Sequence, residues 1–146
     1  MEQTATATGR TARSPNVHYT PRGACRELME CQAPEVLIAG PAGTGKSVAC
    51  LWKLHYCCTH IPGLRCLLAR KTRVSLTESA LVTYERHVLP NRSQILNGPT
   101  RATRHSYKYP NGSEIIIGGL DNPTRIMSTE YDLAYVQEAI ELSEDD

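Results

Sequence analysis

Eight consecutive residues, Gly40-Pro41-Ala42-Gly43-Thr44-Gly45-Lys46-Ser47, constrain this chain more tightly than any other stretch. They fill every fixed position of the pattern G-x-x-x-x-G-K-[ST]. Gly40, Gly43 and Gly45 free the backbone to turn successive N–H groups inward, making a nest for anionic oxygens. A helix beginning near Gly45 would aim its positive end at the same anion. Lys46 supplies a full charge for β- and γ-phosphates, and Ser47 offers a hydroxyl to Mg²⁺. A pattern this short also arises by chance, so its context matters. The apolar run 35–39 before it reads as a buried strand bounded by Gly40. The stretch 45–60 after it reads as an amphipathic helix stopped by Ile61-Pro62-Gly63. Strand, glycine loop and helix in that order imply ATP and Mg²⁺ as ligands; the alternative is a merely flexible glycine turn.

The rest of the chain alternates in the same way. Residues 1–16 are short Thr, Ala, Gly and Ser with two arginines, the composition of a disordered tail, and 17–146 are expected to be the N-terminal portion of a P-loop ATPase domain. Pro21 opens a short helix over 22–31, and 65–70 reads as a second strand. Ser75 and Glu78 fit a capping box, and Leu81, Tyr84 and Val88 line one face of the helix that follows, ending near Leu89-Pro90. Residues 107–109 and 114–117 flank Pro110-Asn111-Gly112-Ser113, a tight-turn sequence that predicts a β-hairpin insertion near 101–118. Leu133-Ala134-Tyr135-Val136 is a third buried strand. Acidic residues after Ser143 suit the first turn of a further helix. The expected fold class is α/β, a P-loop NTPase parallel sheet flanked by helices and incomplete.

Charge is unevenly spread behind a net +1. Residues 1–110 hold fifteen Lys/Arg and six Asp/Glu, whereas 111–146 hold one and nine. The basic part suits a polyanion, although charges also simply coat solvated surfaces. No apolar run approaches the roughly 20 residues that cross a bilayer, and the first residues lack the apolar core of a secretory signal. A cytosolic location, with no membrane partner, is the expectation. Three of the six cysteines, Cys57, Cys58 and Cys66, lie close in sequence to His55 and His60, and the five together invite a zinc reading. Against it, Cys50, Leu54, Cys57 and Cys58 fall on the buried stripe of one helix, the commoner use of free cysteine.

Hydrolysis of ATP needs a carboxylate to help hold Mg²⁺ and another to activate water, at the carboxyl end of a neighbouring strand. Leu133-Ala134-Tyr135-Val136-Gln137-Glu138 fits with one departure. The metal-linked position is Gln137, which is neutral and would act through a bound water. Glu138 is the catalytic candidate beside Lys46; otherwise it caps the helix that follows. Asp132 stands at the wrong end of the strand to substitute.

With both motifs placed, the chain from about Tyr19 onward resembles the N-terminal ATPase part of phage terminase large subunits, the motors that package DNA. The matching stretches are Tyr19-Thr20-Pro21-Arg22-Gly23, the loop 40–47, and 68–79. They continue with 109–114, Gly119-Leu120-Asp121, 128–132, and Glu138-Ala139. Gln137 departs from the acidic pair usual in that family. The resemblance implies that Tyr19 and Arg22 lie on the adenine side, that 40–47 hold the triphosphate, and that Glu138 activates water. It implies an arginine finger, for which Arg70 and Arg73 are candidates; either is otherwise a surface or DNA-backbone residue. It also implies double-stranded DNA as substrate track, a homo-oligomeric ring with portal and small terminase subunit, and the host cell cytoplasm.

The same comparison implies later strands and an acidic nuclease domain that 1–146 does not include, so no nuclease activity and marginal stability are expected. Two other readings stay open: a nucleotide-binding module without turnover, and another P-loop ATPase acting on DNA.

Overall fold

The computed structural model describes residues 18–90 and 93–142. The expected tail 1–16 and the expected helix start after Ser143 lie outside the described residues. Among the described residues four strands form, β1 (Arg65–Arg70), β2 (Ser106–Lys108), β3 (Glu114–Gly119) and β4 (Leu133–Val136), in the spatial order β2-β3-β1-β4. β1 pairs in parallel with both β3 and β4, and β2 runs antiparallel to β3. The molecule is therefore α/β, with a mixed four-stranded sheet flanked by helices. Central β1 buries Cys66, Leu67, Leu68 and Ala69 in a row. An unbroken apolar run is what a strand covered on both faces requires.

The helices are α1 (Ala24–Glu30), α2 (Lys46–His60), α3 (Arg73–Glu78), α4 (Ala80–Thr83) and α5 (Thr124–Met127). α2 lays Leu51, Leu54 and Cys58 on Cys66, Leu68, Ile115 and Ile117, the main core. Cys57 stays half-buried at the margin of that stripe. The Lys53 ammonium donates to Leu28 O at 2.6 Å and to Cys31 O, so α2 satisfies the last carbonyls of α1. A buried polar thread crosses the core. His55 Nδ1 meets the Tyr109 hydroxyl at 2.8 Å, and that hydroxyl meets Tyr84. Beside it the Glu85 carboxylate accepts from Tyr107 and Arg101, both at 2.8 Å. Arg104, 5% exposed, donates to the carbonyls of Ile95, Leu96, Asn97 and Pro99 and stands over the Tyr107 ring.

Three expectations are corrected. Residues 35–39 form no strand and pair with nothing among the described residues, and Val36 and Leu37 are 48% and 86% exposed. Only Ile38 packs, against the cluster of Cys25, Leu28, Ala49 and Cys50. An apolar run becomes a buried strand only when a neighbour completes its ladder, and among the described residues the sheet consists of β2, β3, β1 and β4 alone. The helix expected from Ser75 starts instead at Arg73, because Thr72 Oγ1 accepts from the Ser75 N–H at 3.2 Å. Ser79 then breaks it at φ −116°, ψ −80°, its hydroxyl donating to Ser75 O at 2.6 Å. Past α4 the chain continues as a π-helical turn, Tyr84–Val88. The hairpin forms as expected, with Gly112 at φ 86° in its turn, but it is no insertion. Its second strand, β3, is an inner member of the sheet beside β1.

Candidate functional site

The eight-residue loop leads directly into α2, whose N-cap is Gly45 at φ 82°. Gly40 and Gly43 also take positive φ, 152° and 76°, conformations that a side chain would strain. The loop is exposed from Gly40 to Gly45, and its N–H groups precede the first turn of α2. The Lys46 ammonium folds back over the loop, donating to Gly40 O at 2.7 Å, to Pro41 O, and to Thr44 Oγ1 at 3.1 Å. Thr44 Oγ1 in turn donates to Pro41 O at 2.9 Å. All the acceptors around this cation are neutral oxygens of the loop itself.

β4 reaches the loop through one side chain. The Tyr135 hydroxyl faces the side chains of Ser47 and Cys50, and burial holds this phenol above the ordinary tyrosine range. Two residues on, and so on the same face of the strand, Gln137 is 6% exposed. Its N–H donates to Ala69 O at 2.8 Å, and its Oε1 accepts from the Ser79 hydroxyl at 3.3 Å. Glu138 follows at φ 54°, ψ 51°, the one described residue other than glycine in the left-handed region, with its side chain exposed. A non-glycine residue held there costs about 1 kcal/mol or more and aims the side chain off the strand path. Asp132 sits at the far end of β4, accepting from the Arg65 N–H at 2.9 Å, a strand-pairing role.

The two arginine candidates part company. Arg70, at the carboxyl end of β1, spends three donors on two partners. Nε and Nη2 form a fork on the Glu141 carboxylate at 3.0 and 2.7 Å, and Nη1 donates to Ser79 Oγ at 2.8 Å. The nearby Glu138 also acts on it. Arg73 turns away, donating to Ile117 O at 3.3 Å and to Arg104 O. It lines a concavity of 290 Å³ on the part of the sheet carrying Ile116 and Gly118. Tyr19 stacks on Trp52 of α2, ring centroids 5.5 Å apart, while Arg22 is exposed just ahead of α1.

Sequence reasoning passed over Tyr135, Ser79 and Glu141. Tyr135 was readable, since alternation along β4 puts it on the face of Gln137. Glu141 carried no signal, because its partner lies 71 residues back in the chain. Of the residues considered for zinc, Cys58 and Cys66 are fully buried with their sulfurs 3.4 Å apart, and the Cys66 thiol is pushed up by its Cys58 contact and by burial. His55 is taken up by Tyr109 and His60 by Tyr56 O. Among the described residues no group of three potential ligands gathers around one point. None of the described helices is long and apolar enough to cross a membrane.

No family model, curated protein or solved structure matches this chain.

Proposed function

We propose that this chain binds and hydrolyses ATP as the nucleotide-binding part of a DNA-packaging motor of the terminase large-subunit kind. The observation that carries the reading is the meeting of the glycine loop with the end of β4: Ser47 faces Tyr135, and Glu138 projects just beyond. Loop N–H groups and the start of α2 would hold the triphosphate, and Lys46 would exchange carbonyl oxygens for phosphate oxygens. Ser47 would hold Mg²⁺, with Gln137 reaching it through water; a bound Mg²⁺ supplies charge neutralisation at the phosphates. Glu138 would orient and deprotonate the attacking water. Tyr19 and Arg22 stand at the adenine side in this reading, and Arg70 is the preferred finger because it shares the rim with Glu138. The basic surface of 1–110 would grip double-stranded DNA by its phosphates in a ring of subunits with portal and small terminase subunit, in the host cytoplasm.

Binding of a fluorescent ATP analogue and phosphate release test this. Lys46→Ala should weaken binding by tenfold or more. Glu138→Gln should bind normally yet lose about 10²-fold or more in turnover. Equal binding by the wild type and Lys46→Ala would reject the nucleotide site.

A second reading, binding without turnover, is favoured by Gln137, whose neutral amide accepts from Ser79. Equal and negligible hydrolysis by the wild type and Glu138→Gln, with binding intact, would select it.

A further inference from the structure

The fork between Arg70 and Glu141 joins two pieces of chain of very different firmness. Arg70 ends β1, the central strand, and its backbone oxygen accepts from the Leu120 N–H at 3.0 Å. Glu141 ends a single 3-10 turn, Ala139–Glu141, that contains no buried residue and leaves Ile140 92% exposed. That turn is tied down by the acidic side chain itself and by the Lys71 ammonium, which donates to Glu141 O at 3.1 Å. It follows Glu138 directly, so releasing the carboxylate frees the chain on which Glu138 also hangs. The pair is only partly shielded, with side chains 16% and 37% exposed. Such pairs are worth little in stability and yield to a better anion. A phosphate offers the same planar fork the same two oxygens with more charge.

Building on the nucleotide reading above, we propose that Glu141 is a releasable latch on Arg70. Its carboxylate holds the guanidinium in the place of a phosphate, and a bound triphosphate exchanges with it. Ser79 keeps the guanidinium aimed during the exchange, since its hydroxyl contacts both Nη1 of Arg70 and Oε1 of Gln137. Arg70 stays on the rigid sheet and the turn moves.

The experiment titrates the full chain with fluorescent ATP and ADP analogues. Glu141→Ala should tighten ATP binding roughly three- to five-fold, the size expected when a partly exposed ion pair no longer competes. The gain should be smaller for ADP, which a general loosening of the fold would not reproduce. Arg70→Ala, or Arg70→Gln should the former fail to fold, should bind ATP more weakly. The gain should vanish when Glu141→Ala is added to either. Unchanged or weaker ATP binding by Glu141→Ala, or a gain that persists without Arg70, overturns the latch while leaving the nucleotide site standing. Wild-type binding no better than that of Lys46→Ala overturns both.

Discussion

At the scale of single residues, the tightest spot is Gly119 at the end of β3. A Cβ there would lie 2.5 Å from the Arg73 nitrogen and 3.1 Å from the Thr72 carbonyl carbon, and would press on the Asp121 carboxylate. The Thr72–Arg73 peptide cannot step aside as a side-chain tip can. Gly119→Ala should therefore cost about 2 kcal/mol, read as a lower urea midpoint at unchanged slope. His55 gives a second test. Burial, helped by the nearby His60, pushes its pKa down to about 4. The unfolded chain takes up this proton near pH 6.5 and the native state resists until about pH 4, so the unfolded state binds more protons between those values. Stability should fall as pH drops through that window, by up to about 3 kcal/mol, and level off below it. His55→Gln should flatten that part of the stability curve. The residues of the glycine loop were legible because their chemistry is local. His55, Tyr84 and Tyr109 were not legible as a hydrogen-bonded thread, because the sequence separates them by tens of positions and only the packing of α2 on the hairpin brings them together.

At the scale of elements, the strand at Arg65–Arg70 could be read to the residue, since arginines bracket an apolar run of strand length. The turn 110–113 was equally plain, and its Asn111 amide donates to Cys58 O at 2.8 Å, docking the hairpin on the end of α2. The helix over 73–88 was legible as helical and misread in its start and its continuity. Thr72 and Ser75 are both competent caps, and a window of sequence does not say which hydroxyl meets which N–H. Thr72→Ala should cost about 1 kcal/mol, whereas Ser75→Ala should leave the cap itself intact. Paired thermal melts of the two variants check the assignment. The segment 35–39 shows the other limit. Its composition is that of a strand, but strand formation is a property of pairs, and composition reports only one partner.

At the scale of the whole molecule, β4 and the segment 35–39 leave one flank of the sheet unlike the other. On the β2 side, the strand at the edge is three residues long and polar at both ends. The other edge among the described residues is β4, followed by the exposed Ile140, and Val36 and Leu37 also stand out into water. Short, polar edges discourage copies from adding strand to strand, and bare apolar ones invite it. A concentration series by light scattering should show self-association that Leu37→Lys reduces. The consequence is colloidal. A stock of this protein should cloud on concentrating well before it loses its fold on warming, and its shelf life should follow dilution more closely than temperature.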